Sequence, residues 1–413
     1  MILRKYQSEL STEAVDILKR KNIVYLAMEV RTGKTLTALA TAEKFGSRNV
    51  LFLTKKKSIN SIQFDYDNFD GGFNFKLTVI NDESLHLINE NFDLVIHDEH
   101  HRFGAFPKPN QVAKLFKKRY SKLPMIFLSG TPHPESYSQI YHQFWVSDSS
   151  PFRAYTNFYK WAAGGYVNVV QKRAGMHLVN DYSDGVEKII KGVIRHFMIT
   201  FTQKQAGFTT AVNEVCLDVE MKPITHAIIA KLRKDKIAKN KDGNVILADT
   251  GAKMMQKIHQ LSSGTCKFED GTSKVIDLSK IEYISENFNQ YKIAIFYKYT
   301  EELNAIKQFM GDRVTTDLDV FNENPDKWIA LQITAGREGI SLKEADYLVY
   351  YNIDYSAVSY WQSRDRLTTM ERKTNQVFYI FSKGGIEQKI YQSVLAKKNY
   401  TLSIFNQDYD RAV

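Results

Sequence analysis

The chain has 413 residues, of which 43% are hydrophobic, 25% charged and 13% aromatic, the proportions of a globular protein with room for two or three domains. No run of about 18 apolar residues predicts a membrane span, MILRKYQSEL turns polar too early for a signal-peptide core, and two cysteines, Cys216 and Cys266, supply neither a zinc site nor a disulfide framework. A cytoplasmic protein is expected, and the formal charge of +10 with a pI near 9.2 predicts a polyanionic partner, nucleic acid first.

Short apolar runs alternate with helical patterns through the first third. NIVYLAM, NVLFLT, LTVI, FDLVIHD and PMIFLSG are rich in β-branched and aromatic residues and end in polar or glycine-containing turns, which predicts strands. Amphipathic stretches such as TLTALATAEKF lie between them, so an α/β unit with a largely parallel sheet is expected. From Trp145 to Ser279 the periodicity reads as mostly helical, and the lysine-rich run Lys231 to Lys241 reads as a solvated helix face. Alternation then returns in KIAIFYKY, WIALQIT, YLVYYNI and QVFYIFS. The aromatic residues fall mainly in strand-like or periodic positions, which assigns them to the core rather than to base stacking.

Three polar segments end predicted strands of the first third. In YLAMEVRTGKTLTALATAEKF a strand leads through a turn into a helix beginning near Gly33. The backbone N–H groups of such a helix start attract phosphate. Thr32, Gly33, Lys34 and Thr35 would then form the cradle, with Lys34 on the β- and γ-phosphates and Thr35 on Mg²⁺. The tripeptide alone also fits an ordinary helix start. FDLVIHDEHH delivers Asp98 and Glu99 to the C-terminal edge of the sheet, where ligands of such sheets bind. Asp98 is a candidate for Mg²⁺, and Glu99 for orienting and deprotonating the attacking water. PMIFLSGTPHP ends in Ser129, Gly130, Thr131 and Pro132 beside the same edge.

The order GKT, DEHH, SGTP resembles the first motor lobe of superfamily-two helicases, the group that includes DEAD/DEAH-box and SWI/SNF-type ATPases. LRKYQ, from Leu3 to Gln7, looks like that family's LRxYQ element, which implies that Gln7 recognises adenine. SWI/SNF-type members write the phosphate loop with an acidic residue and a short spacer before GKT, and MEVRTGKT fits with Glu29 in register. By the same resemblance His101 is the histidine coupling ATP to the nucleic-acid side, with His100 in place of a small residue; His97, His100 and His101 are not expected to hold zinc.

A second RecA-like lobe is implied by LQITAGREGISLKEADYLVYYNIDYSAVSYWQSRDR, which is similar to the family's AGGxGxNL…D…Q…DR run at Ala335, Gly336, Gly339, Ile340 and Leu342. Gln362 and Arg366, four apart, share one face if SYWQSRDRL is helical. The resemblance makes Arg366 the arginine finger on the γ-phosphate. The family's further arginine is replaced by Thr369, leaving Arg364 or Arg372 as substitutes. LTKKKSIN and TVINDESL resemble the motifs that meet backbone phosphate, so Thr54, Lys55, Lys56, Asn81 and Ser84 are the candidate nucleic-acid contacts.

The expected architecture is therefore α/β, two RecA-like parallel-sheet lobes at 1–145 and 279–413 with a mostly helical insertion and linker at 146–278. The expected activity is that of an ATP- and Mg²⁺-dependent nucleic-acid motor, a DNA helicase or double-stranded DNA translocase resembling compact bacteriophage members, in replication or recombination. It is expected to be a monomer, with DNA as partner and an accessory protein such as a nuclease or replication factor. The alternatives are an RNA helicase, an ATP-switched nucleic-acid clamp without unwinding, and a small-molecule phosphotransferase.

Overall fold

Strands that read as unbroken apolar runs are those of sheets covered on both faces, and the computed structural model contains two such sheets. It describes residues 1–174, 177–209, 211–240, 242–336, 340–369 and 372–396. Chain contacts divide it into two units, Met1–Phe208 and Thr209–Val413.

In the first unit, strands β1 (Ile23–Met28), β2 (Asn49–Thr54), β3 (Lys76–Asn81), β4 (Leu94–His97) and β5 (Met125–Leu128) alternate with helices α1 (Lys5–Lys21), α2 (Lys34–Phe45), α3 (Ile59–Asp67) and α4 (Gln111–Tyr120). Helices α5 (Ile140–Trp145) and α6 (Phe158–Trp161), an antiparallel hairpin β6 (Val170–Ala174) and β7 (His177–Asp181), α7 (Glu187–Ile194) and a last strand β8 (Met198–Phe201) follow. The sheet order is β3-β2-β4-β5-β1-β8, parallel throughout. Successive side chains of β1 serve opposite faces: Ile23 and Tyr25 enter one apolar core, Val24, Leu26 and Met28 the other. Small residues on α2, Ala38 and Ala42, are fully buried and let the helix lie close against that second face.

The second unit opens with β9 (Ala211–Val219), α8 (Pro223–Asp235), the hairpin β10 (Ile237–Lys239) and β11 (Val245–Leu247), α9 (Gly251–Ser262), the hairpin β12 (Thr265–Lys267) and β13 (Ser273–Val275), and α10 (Ser279–Phe288). Strands β14 (Ile293–Tyr297), β15 (Val314–Thr315), β16 (Trp328–Gln332), β17 (Tyr347–Tyr350) and β18 (Thr374–Ser382) then alternate with α11 (Thr300–Met310), α12 (Leu318–Glu323), α13 (Ile333–Gly336), α14 (Ala357–Arg364) and α15 (Glu387–Leu395). Its parallel sheet has the order β15-β16-β14-β17-β18-β9.

Two six-stranded parallel sheets with surrounding helices are the α/β architecture expected from the sequence. The middle differs from expectation. Instead of one helical insertion over 146–278, the contact division falls after Phe208, and β6 to β13 lie in that stretch. The physical reason is pairing across long separations. β8 joins the sheet edge beside β1 and β9 the edge beside β18, and neither partner is visible in local periodicity. The run from Lys231 is likewise not one helix face, because α8 stops at Asp235, Lys236 takes a left-handed conformation and the β10–β11 hairpin begins; Lys241 lies outside the described residues.

Candidate functional site

In the order β4-β5-β1 three parallel strands lie side by side, so the segments that follow them emerge together at one sheet edge. After β1 the chain runs through residues 29–33 into α2, whose first residues are Lys34 and Thr35. After β4 it turns through Asp98 and Glu99, and after β5 through Ser129. The sequence-predicted strands thus bring Lys34, Thr35, Asp98, Glu99 and Ser129 to the edge where an α/β sheet binds ligands.

The phosphate-loop candidate is held from several sides. The Glu29 N–H donates to the Phe201 carbonyl, and its carboxylate accepts from the Gln203 N–H at 2.7 Å. The Thr32 hydroxyl and Lys34 Nζ both donate to the Glu29 carbonyl, at 2.7 and 3.3 Å. Tyr6 stacks on Phe201 and donates its hydroxyl to the Thr32 carbonyl. Gly33 caps α2 at φ +78°, a left-handed conformation that glycine adopts without penalty. Gln7 is buried against it, with its amide Nε2 donating to the Gly33 carbonyl at 3.2 Å and its Oε1 accepting from the Arg4 N–H. A Cβ on Gly33 would stand 2.1 Å from Gln7 Nε2, so a larger residue there would have to displace the Gln7 amide in addition to the cost at φ.

Backbone strain gathers at this edge. Among the described residues four non-glycine positions have positive φ; Asn22 and Lys236 are helix caps, where that conformation is common. The other two are Arg31, in the phosphate-loop candidate, and Glu99, at φ +63° and +47°. Such conformations cost about 1 kcal/mol or more each and persist where the surroundings impose them.

Asp98 accepts a hydrogen bond from the Thr54 hydroxyl at 3.0 Å. Burial, reinforced by the Glu99 charge, pushes Asp98 above the usual carboxylate range against the pull of Lys34 and that hydrogen bond. Burial opposes ionisation of Glu99 too, but the hydrogen bond and charge of His101, with Lys34 and Lys55, hold it below the usual range. His101 Nδ1 lies 3.2 Å from Glu99 Oε2 and 2.9 Å from the Ser129 hydroxyl, so one imidazole ties the segment after β4 to that after β5. The Ser129 oxygen also accepts from the Thr131 N–H.

His97 and His100 point the other way, into the core. His97 Nε2 faces Asp82 at 3.1 Å, the two Nδ1 atoms meet at 2.5 Å, and His100 Nε2 donates to the Gln143 carbonyl. His100 stacks on Phe127 with centroids 3.6 Å apart. Arg102 pairs with Asp82 at 2.7 Å; burial would raise Asp82, yet His97 and Arg102 hold it below the usual carboxylate range.

The nucleic-acid candidates require one correction. Thr54 is 1% exposed with its hydroxyl on Asp98, so it orients that carboxylate instead of meeting a phosphate. Lys56 is exposed and Lys55 half-buried at the end of β2. Asn81 and Ser84 hydrogen-bond each other at 2.8 Å after β3, next to β2 at the same edge. That Thr54 serves Asp98 follows from β2 and β4 being neighbours, a pairing the sequence does not announce.

In the second unit, α14 carries Gln362, and Arg366 follows in a short 3₁₀ turn. Arg366 donates from Nε to the Gln362 carbonyl and from Nη1 to the Ile340 carbonyl, at 3.1 and 3.2 Å. Gln362 is 2% exposed, and among the described residues neither its amide oxygen nor its amide nitrogen has a hydrogen-bond partner. A buried amide left with both ends unpaired costs about 1–3 kcal/mol. Gly336 is buried in tight packing, since a Cβ there would come 2.5 Å from the Phe296 ring; Gly339 lies outside the described residues. Neither substitute for the family's further arginine projects from the unit. Arg364 pairs with Glu214 at 3.3 Å and stacks 4.3 Å over Trp361, while Arg372 donates to the carbonyls of Ala345 and Asp346. Sequence reading missed Glu214, whose carboxylate also accepts from the hydroxyls of Tyr360 and Tyr379.

No protein-family model matches the chain, and no curated protein matches it. Among solved structures it is similar to the SWI2/SNF2 ATPase core of Sulfolobus solfataricus in complex with dsDNA, at 16% identity over 98% of this chain and 92% of that one, with a TM-score of 0.42. The core domain of the same ATPase gives 16% identity over 96% and 88% of the two chains, with a TM-score of 0.43.

Proposed function

We propose that the chain is an ATP-driven motor acting on nucleic acid, a superfamily-two ATPase of SWI/SNF type. The observation that supports this reading most directly is the gathering of Lys34, Asp98, Glu99 and the Ser129-bound His101 at one edge of one parallel sheet. Lys34 offers a positive charge to the β- and γ-phosphates, and the N-terminus of α2 offers backbone N–H groups. Thr35 and Asp98 are hard oxygen donors of the kind Mg²⁺ takes; bound with the triphosphate, that ion would neutralise phosphate charge. Thr54 keeps Asp98 turned to the edge. Glu99, held ionised by His101 and Lys34, orients the water that attacks the γ-phosphoryl group and accepts its proton. The family resemblance alone assigns Gln7 to the adenine edge; here its amide is occupied by the Gly33 carbonyl and the Arg4 N–H. By the family resemblance Arg366 is the second unit's candidate for stabilising charge as the bond to the leaving group breaks, with Gln362 four residues before it.

Duplex DNA is the proposed track, contacted by Lys55, Lys56, Asn81 and Ser84. The proposed setting is a cytoplasmic one, phage-type replication or recombination, with the chain working as a monomer alongside an accessory protein. The test is ATP turnover by the full chain alone, with single-stranded DNA, with duplex DNA and with RNA. Stimulation by duplex DNA is expected, and Glu99→Gln should bind ATP while losing turnover. Turnover indifferent to every nucleic acid would overturn the reading in favour of a small-molecule phosphotransferase, and nucleic-acid binding without turnover would favour an ATP-switched clamp.

A further inference from the structure

Around the C-terminal end of α1 the surface of the first unit forms two adjoining concavities that share Arg20 and Lys21. One, of 440 Å³, is lined by Lys19, Arg20, Lys21 and Arg153 and by no carboxylate. The other, of 460 Å³, adds Arg195, His196 and a single acid, Glu13. These basic residues come from three separate stretches of chain: the last turn of α1, the turn after α5, and the junction between α7 and β8. All of them are exposed.

The ordinary explanation of cations at a helix C-terminus is compensation of its dipole. It serves for Lys19, Arg20 and Lys21, and for Arg195 at the end of α7, but not for Arg153, which lies in a turn beyond α5. Dipole compensation also gives no reason for the cations to converge. None of the five Lys and Arg side chains is paired with a carboxylate among the described residues. Like charges gathered within about a Debye length repel, and a polyanion is what relieves that repulsion.

The groove is distinct from the nucleotide edge. β1 begins at Ile23, directly after Asn22, and the Asn22 carbonyl accepts from Met125, the first residue of β5. The groove therefore flanks the N-terminal edge of the sheet, while Lys34, Asp98 and Glu99 occupy the C-terminal edge. Its chemistry favours phosphate over an acidic peptide. Three guanidinium forks suit phosphate oxygens, and Asn22, Ser149 and Ser150 are of the type that contacts a nucleic-acid backbone. The apolar anchors a peptide needs are covered, Ile17 and Phe197 being 8% exposed each.

We propose that this groove binds the phosphodiester backbone of duplex DNA, as a second contact separate from the one at the ends of β2 and β3. It rests on the reading of the chain as a nucleic-acid motor. The experiment compares the full-length protein with a Lys19→Gln, Arg153→Gln, Arg195→Gln variant, measuring affinity for a fluorescent duplex by anisotropy over a range of salt, together with ATP turnover at saturating duplex. The variant should bind more weakly and show a log affinity against log salt slope shallower by about 0.9 for each cation removed, with saturated turnover unchanged. Equal affinity and equal slope would overturn the groove assignment while leaving the motor reading intact. Tighter binding of a polyglutamate peptide than of duplex, lost in the same variant, would also overturn it and make the groove a protein-docking site. Absence of duplex binding by the unaltered protein would remove both.

Discussion

The second unit contains a fully buried ion pair whose disruption has a calculable cost. Lys280 on α10 donates to Glu387 at the start of α15 at 2.7 Å, with both side chains 0% exposed, and also to the Tyr351 carbonyl at 3.0 Å. Burial raises the Glu387 carboxyl in spite of the Lys280 charge. Lys280→Met removes the cation and strands the carboxylate, a loss of about 3–5 kcal/mol for a broken buried pair. At about 2–4 °C per kcal/mol for a domain of this size, the thermal midpoint should fall by roughly 6–20 °C. The double variant Lys280→Met, Glu387→Leu leaves no stranded charge and should recover most of that loss. The pH dependence follows from the sign of the shift. A stranded Glu387 has its folded pKa raised above its unfolded value, so folding is least penalised below the unfolded carboxylate range, and stability is lost as pH rises through the folded pKa. Calorimetry of both variants between acid and neutral pH checks this. A double variant as damaged as the single one, or a single variant with the same deficit at every pH, would refute the reasoning, because the loss would then come from packing and not from charge.

Gly33→Ala imposes a left-handed alanine at about 1–2 kcal/mol and drives a methyl group into Gln7 Nε2; ATP affinity, read as KM or by equilibrium binding, should fall more than the thermal midpoint does. Arg366→Ala should leave ATP binding largely intact and lower kcat on the order of 10³-fold or more, as for loss of an arginine finger, in a steady-state assay with duplex present. Because Asp98 is raised by burial and by Glu99, the carboxylate proposed to hold Mg²⁺ is lost, as pH falls, at a higher pH than an ordinary carboxylate. The acid limb of kcat/KM should lie correspondingly high, move down with added Mg²⁺, and move up in Thr54→Val, which lacks the hydroxyl that favours the charged form.

The parts of the site that were legible in the sequence are those in which local pattern and chemistry coincide. Each of the GKT, DEHH and SGTP segments follows an apolar run that forms a central parallel strand, and parallel strands deliver their following turns to a common edge whatever the details of packing. The expected proximity of Gln362 and Arg366 is present, because the helical spacing carries into the 3₁₀ turn after α14, where Arg366 donates to the Gln362 carbonyl. Illegible were the partners brought in by non-local pairing. Gln203 holds Glu29 only because β8 lies beside β1. Glu214 sits beneath Tyr360, Tyr379 and Arg364 because β9 runs beside β18. A lone glutamate in an alternating strand reads as a solvent-facing position, and only the sheet order turns it into the acceptor for two phenols and a guanidinium. The same network holds Arg364 against Glu214 and Trp361.

The Thr54–Asp98 hydrogen bond links the end of β2 to the segment after β4. Through the Thr54 hydroxyl the end of β2 bears directly on the carboxylate proposed to hold Mg²⁺, and the next residues, Lys55 and Lys56, are the proposed phosphate contacts. Asp82, after β3, is joined through His97 to His100 and through the Arg102 guanidinium to the short turn after Glu99. Each strand end that offers a nucleic-acid contact is therefore hydrogen-bonded to the segment that carries Asp98 and Glu99. These bonds are buried or half-buried, where an unmade hydrogen bond costs about 1–3 kcal/mol, so on the proposed reading a displacement of β2 or β3 would strain the segment that carries Asp98 and Glu99. His101 extends the same set of contacts to Ser129 after β5, so on the proposed reading the ends of β2 and β3 are linked to the candidate catalytic segment without a long relay.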